Sequence, residues 1–258
     1  MIHNVNTINT PQQALEEYLG EQFIDWLGHY IPNEMQTWPI MGKIRTGHPK
    51  PEKARKFALQ MFLAGEAFLG SRVGDPGFLR FAIANLSESD DPQAESALEI
   101  LEKRRTDELI GHKVERGIVQ TAKRDLWLRL LKALEIPQEE IDRAEPKKPT
   151  RNYIAELSDV FSTLEWETAV GAFAALESSI AEEYKVFLEL LKNNTSVTEK
   201  DLEVLTTPIN SSQYVVTTSH VLDKVVFDRE TKELVWAGVT RQLAIQKDFL
   251  NDLEKYLL

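Results

Sequence analysis

The sequence predicts an all-α fold, a single compact bundle of seven to eight helices. Three observations carry this. Apolar residues recur three and four positions apart over most of the 258 residues, the spacing that gathers side chains on one face of an α-helix. Helix-opening signals recur too: Thr10-Pro11 and Asp91-Pro92 each pair a capping side chain with a proline suited to the first turn. Finally, only residues 213–227, QYVVTTSHVLDKVVF, are dense in β-branched side chains, and nothing else in the chain offers them a sheet to join.

Taken in order, residues 1–9 are polar and read as a flexible N-terminal arm, with residues 10–258 forming a single helical domain. Thr10 at the cap, Pro11 and Gln13 open a first helix that carries Leu15, Tyr18, Leu19, Phe23, Trp26 and Leu27. Pro32, Pro39, Gly42, Gly47 and Pro49 punctuate a long connection. Glu52 to Leu69 is a second helix, ended by Gly70 and the Gly74-Asp75-Pro76-Gly77 run, and Phe78 to Leu86 a short apolar one. Asp91-Pro92 then opens a long central helix reaching Leu134. Its stretch Ala97–Ala133 holds no proline and would extend roughly 55 Å at ~1.5 Å per residue. A turn of helix follows at Gln138–Ala144, and the proline-rich spacer 145–149 is the best internal boundary. Thr150 is placed to cap Tyr153–Phe161, and Thr163 to cap Glu165–Leu191. Thr198–Leu205 is short and helical. In residues 213–227, Val216, His220, Asp223 and Phe227 fall at helical spacing, which favours helix, and the last helix runs from about Thr231 to Leu258.

The candidate site lies where polar groups interrupt apolar faces. One face of the central helix reads Ala97, Leu101, Glu108, His112, Glu115, Val119, Ala122, Leu126, Leu130, Ala133. A buried charge costs several kcal/mol unless it is paired or coordinates a metal. The 165–191 helix repeats the theme, with Glu177 among Val170, Phe173, Ala174, Ile180, Ala181, Tyr184 and Leu188. His220 and Asp223 supply a second imidazole–carboxylate pair at i, i+3, as His112 and Glu115 do on the central helix. Four carboxylates and two imidazoles, from Glu108, His112, Glu115, Glu177, His220 and Asp223, are the donor set of a two-iron or two-manganese centre in a helical bundle. The usual order in such bundles is Glu-x-x-His, whereas both pairs here read His-x-x-acid. The alternative is internal ion pairing, for which Arg105, Lys113 and Arg116 are available.

Composition narrows the classes. With 30 basic and 41 acidic side chains the net charge is −11, and no basic stripe interrupts it, which argues against nucleic acid and anionic membranes as partners. The absence of cysteine excludes disulfides, thiolate metal sites and a cysteine nucleophile. No apolar run reaches ~18 residues, and the first ten residues lack a signal-peptide pattern, so a cytoplasmic protein is expected. The chain has no Gly-rich phosphate loop followed by Lys-Ser/Thr, no Gly-x-Ser-x-Gly and no His-Glu-x-x-His.

Several segments resemble the haem-oxygenase-like superfamily, which includes thiaminase II (TenA), pyrroloquinoline-quinone synthase C (PqqC) and the chlamydial protein associating with death domains (CADD). They are residues 78–86 (FLRFAIANL), 125–134 (DLWLRLLKAL) with Ile136-Pro137, 171–177 (GAFAALE) with Tyr184, and 201–205 (DLEVL). The resemblance implies a compact helical bundle, a homodimer, and a small-molecule pocket between helices. Its CADD-like branch resembles non-haem di-iron oxidases, whose ligands are a Glu and a His seven apart on one helix, a Glu on the Ala-Leu-Glu helix, and a terminal His-x-x-x-Asp-x-x-His. Glu177 matches the third position; Glu108 and Glu115 keep the seven-residue spacing with Glu in place of His, and His220 and Asp223 stand in the terminal region. Two expectations follow. The first is an oxidoreductase with two Fe (or Mn) ions, using O2 on a small amine, amino acid or carboxylate, with Tyr184 beside the metals. The second is a metal-free small-molecule-binding protein or a cofactorless oxidase like PqqC. Thiaminase II chemistry needs a cysteine that this chain lacks.

Overall fold

One helix is buried on nearly every side over its first half. α10 (Trp166–Asn194) buries Ala169, Val170, Ala172, Phe173, Ala174 and Ala175 completely. A stretch with no polar stripe has to be surrounded, and the other described helices are wrapped around it. The computed structural model describes residues 10–18, 20–70, 77–110, 112–114, 118–210, 219–226 and 228–257. Among them the elements, in order, are α1 (Pro11–Glu17), α2 (Gly20–Gln36), α3 (Pro39–Thr46), α4 (Pro51–Leu69), α5 (Leu79–Ser87), α6 (Pro92–Ile110), a hairpin of β1 (His112–Val114) and β2 (Ile118–Gln120), α7 (Lys123–Ala133), α8 (Gln138–Arg143), α9 (Lys148–Phe161), α10, α11 (Glu203–Asn210) and α12 (Arg229–Leu257). α12 is the principal partner of α10, and α2, α3, α9 and α11 cover the remaining sides. The fold is all-α, with one minimal hairpin inserted.

The α10–α12 crossing is set by two glycines. A methyl group on Gly171 would overlap the Val235 carbonyl, and one on Gly238 would overlap the Thr168 carbonyl. Each helix thus presents its glycine to the other's backbone. The Thr168 hydroxyl donates across the same crossing to the Leu234 carbonyl at 3.3 Å.

Several sequence expectations hold, and several are corrected. Thr10 caps α1, its hydroxyl oxygen accepting from the Gln13 N–H, and the Asp91 carboxylate receives the Gln93 N–H at 2.9 Å at the start of α6. The first expected helix divides into α1 and α2, and α2 continues through Pro32, which was read as part of a connection; α3 lies inside that same stretch. α9 begins at Lys148, so Thr150 sits within the helix and donates instead to the buried Gln60 side chain at 2.6 Å. Gln60 also receives the Lys147 N–H at 2.7 Å, which docks the proline-rich spacer on α4.

The largest correction concerns the central helix, which stops at Ile110 and resumes at Lys123. Between them β1 and β2 pair antiparallel in the register His112↔Gln120, Lys113↔Val119 and Val114↔Ile118. The sequence supplies the cause. Gly111 and Gly117 each cost about 1 kcal/mol in a helix interior, and Val114, Ile118 and Val119 favour extended backbone. Of residues 213–227, the described part is one helical turn at 219–222 followed by a turn. The arm expected over residues 1–9 lies outside the described residues. No helix among the described residues is long and apolar enough to cross a membrane.

Candidate functional site

Polar groups enter the helical interior at several places, three of which bear on a site, and α10 supplies two of those three. On its first polar face Glu177 is buried to 1 % exposure. The Arg104 guanidinium of α6, also buried, meets it with both arms: Nε donates to Oε2 at 3.0 Å and Nη2 to Oε1 at 3.3 Å. Arg104 falls three residues after the fully buried Leu101, on the inward strip of α6. The fork geometry uses both carboxylate oxygens and neutralises the charge that burial would otherwise forbid.

Seven residues further along α10, on the same face, Tyr184 is buried with its ring edge-on to Trp127 of α7, the centroids 6.2 Å apart. Trp127 in turn lies 6.4 Å from Phe62 of α4. One turn beyond Phe62, the buried Glu66 carboxylate receives Nε of Arg124 at 3.3 Å, and Arg124 is one turn before Trp127 on α7. The contacts thus run in a circuit through α6, α10, α7 and α4. They enclose two carboxylate–guanidinium pairs, a tyrosine and an indole. The Trp127 Nε1–H is buried and finds no acceptor among the described residues. A buried donor left unmade is costly, and no described residue relieves this one.

The third inclusion lies between α10 and α12. The Ser179 hydroxyl donates to the Gln246 side-chain oxygen at 2.9 Å, and the Gln246 amide donates to the Glu183 carboxylate. Burial pushes the Glu183 carboxyl up to about 7; the Gln246 hydrogen bond and the Lys123 charge oppose that shift without cancelling it. Tyr153 of α9 stacks on Phe249 nearby, the centroids 4.2 Å apart. Its hydroxyl is pushed above the ordinary tyrosine value by burial and then by the Glu183 charge, with the Gln242 side chain acting the other way.

Of the six expected metal ligands, the three whose side chains are described, Glu177, His220 and Asp223, do not stand together as a metal-holding group. Glu177 is in the core but held by Arg104. His220 and Asp223 are both exposed, next to the buried Val221 and Leu222. Glu115 lies outside the described residues. Of Glu108 and His112 the backbone alone is described, and it places one in α6 and the other in β1, so the shared helix face expected for them is broken. Tyr184 lies two turns beyond Glu177 on the same face of α10. Among the described residues no three His, Asp or Glu side chains stand together in a way that could hold a metal ion. The described donors therefore do not fit a two-metal centre: one carboxylate is spent on a guanidinium, which also repels a cation, and the terminal pair faces solvent. Counted forward from His220, the terminal ligand pattern lands on Lys224 and Phe227, which are not ligands.

The partners found in these pairs, Arg104 with Glu177, Glu66 with Arg124 and Glu183 with Gln246, carried a partial signal. Arg104 continues the Ala97–Leu101 strip, Glu66 sits inside an apolar run, and Glu183 is three residues after Ile180. Each is a polar residue on an inward face, the same criterion that singled out Glu177.

This architecture, a helical bundle closed around a buried α10 with polar groups set between its helices, defines the class. Residues 80–205 match the TENA/THI-4/PQQC family model. A CADD-like protein of unknown function from Nostoc punctiforme superimposes with a TM-score of 0.68 at 13% identity, over 91% of this chain and 99% of that one. A TenA homolog from Pseudomonas syringae gives 0.65 at 12% identity, over 96% and 98% of the two chains. A domain of unknown function with a heme oxygenase-like fold from Shewanella denitrificans gives 0.64 at 13%, over 91% and 90%. No curated protein matches the sequence. The chain has the heme oxygenase-like fold of these structures, and within it residues 80–205 are similar to the TENA/THI-4/PQQC family.

Proposed function

We propose that this protein binds a small molecule between α4, α6, α7 and α10 through its own side chains rather than through a two-metal centre. The single observation that supports this reading is the Arg104 fork on Glu177. In a two-metal bundle that carboxylate gives its oxygens to the metals; here a guanidinium takes both. The chemistry on offer is that of the residues present. Trp127 presents an unpaired N–H, and the Tyr184 and Trp127 rings form an apolar wall. The Arg104 and Arg124 pairs hold charge in place around them. Behind α10, Glu183, pushed up to about 7, can hold or release a proton near neutral pH.

Metal analysis after expression in iron-supplemented medium tests the proposal. The expected outcome is well under one equivalent of iron or manganese per chain, unchanged by Glu177→Gln or His112→Ala. Close to two equivalents, lost in both variants, would instead establish the di-iron (or di-manganese) oxidoreductase that uses O2.

A further inference from the structure

The hairpin of α5 and α6 encloses an open cavity of about 560 Å3 that takes no part in the site described above. One face of α5 supplies Arg80, Ile83, Ala84 and Ser87, which follow one another at i, i+3, i+4 and i+7; α6 supplies Glu102, Arg105 and Thr106 at i, i+3 and i+4. Both arginines lack a carboxylate partner among the described residues, although the chain carries 41 acidic side chains against 30 basic ones. Arg105 is the sharper anomaly: its Nε is buried and has no acceptor. The contrast with its neighbours is direct. Arg104 is matched by Glu177, Arg124 by Glu66, and Arg129, whose Nε is likewise buried and unpaired, is held through another nitrogen by Glu203. A guanidinium that lines the cavity without a carboxylate partner keeps its outer N–H groups open to an acceptor arriving there.

We infer that this cavity is a binding site for a small anion, a molecule with a carboxylate or phosphate head. The head sits between Arg80 and Arg105, with the Thr106 hydroxyl as a further donor, and a short apolar tail lies on Ile83 and Ala84. A guanidinium fork suits the planar, two-oxygen geometry of such heads. Glu102, on the same wall, limits the charge the site can neutralise and favours a small head over an extended polyanion.

Calorimetric titration at low ionic strength tests the assignment, with inorganic phosphate and malonate as separate probes and chloride as the control. One of the two probes is expected to bind saturably with a dissociation constant on the order of 1 mM or tighter. Arg105→Gln should weaken that binding at least ~10-fold. Glu102→Gln should tighten it several-fold, a change that a merely structural cavity would not produce, and one that decides the matter even if the arginine variant folds poorly. Preference for phosphate or for malonate distinguishes the two ligand sources. The assignment is overturned if neither probe saturates by about 50 mM, far weaker than a specific site would bind, if binding survives in the Arg80→Gln/Arg105→Gln double variant, or if Glu102→Gln leaves it unchanged.

Discussion

At the residue scale the interior is governed by what each buried charge is given as a partner. Glu177 and Arg104 are both almost completely removed from solvent, so neither tolerates losing the other. Arg104→Ala is expected to cost about 3–5 kcal/mol in urea unfolding, because it strands a buried carboxylate. The Arg104→Met/Glu177→Met double variant should be markedly more stable than the sum of the two single changes. An additive result would show that the pair is not coupled. Glu183 gives a different signature. Its carboxyl lies near 4.5 when unperturbed and about 7 in the folded protein, so the folded state binds the proton more tightly than the unfolded state. Its contribution to stability is therefore greatest below about 4.5 and declines as the pH rises to about 7, by a total on the order of 3 kcal/mol. Glu183→Gln keeps an acceptor for the Gln246 amide without the charge. The variant should gain stability relative to the native protein as the pH rises through that window, and the difference should level off above it. A difference that does not vary with pH would place the Glu183 carboxyl in ordinary solvent. Both sites show what residue type alone conceals. A search for acids and imidazoles on apolar faces finds Glu177 but passes over Arg104, the residue that determines what Glu177 can do.

At the element scale, legibility depended on how many residues shared a signal. α4, α5 and α10 were readable because apolar spacing persisted over two turns or more, and α8 because Pro137 marks its start; none of the four carries a side-chain cap, so the cap expected from Thr163 on α10 is not made. The continuous central helix was not, because its apolar stripe runs on through Gly111 and Gly117 and masks the local preference of Val114, Ile118 and Val119 for a hairpin. That break also removes the shared helix face expected for Glu108 and His112. The α10–α12 crossing had a readable sign: a glycine inside an apolar helix costs about 1 kcal/mol relative to alanine, so Gly171 and Gly238 needed a compensating reason. The reason is backbone contact. Gly171→Ala gains in helix propensity but drives a methyl group into the Val235 carbonyl, and backbone yields less readily than a side-chain tip. A net loss of about 3 kcal/mol or more is expected, with the same sign for Gly238→Ala. Thermal unfolding measures it, and a stabilised Gly171→Ala protein would refute the close crossing.

At the scale of the whole molecule, α12 returns the chain to its beginning. The buried core is one continuous cluster from Ala14 in α1 to Leu253 near the end of α12. That continuity is why the fold class could be read from apolar periodicity, while the site, which depends on which distant charges meet, could not. The join between the two ends rests on one residue. Lys232, buried near the start of α12, points Nζ at the carbonyl oxygens of Leu15 and Tyr18, each 2.7 Å away. These are carbonyls at the C-terminal end of α1, where a cation is favoured by both the helix dipole and the unpaired acceptors. α1 has seven residues, too few to be stable alone. It should therefore depend on this contact in a way that the longer helices do not. Lys232→Met keeps most of the side chain's bulk and removes its three donors. Amide exchange is expected to rise about 10-fold or more across residues 14–18, with little change in the middle of α10, while global stability falls by about 1–2 kcal/mol. Salt provides the control. The contact is buried and made to carbonyls, so in the native protein about 1 M sodium chloride should leave the protection of α1 intact while weakening exposed ion pairs such as Lys43–Glu254. Unchanged exchange in α1 of the Lys232→Met variant would mean that the first helix is held by its apolar contacts alone.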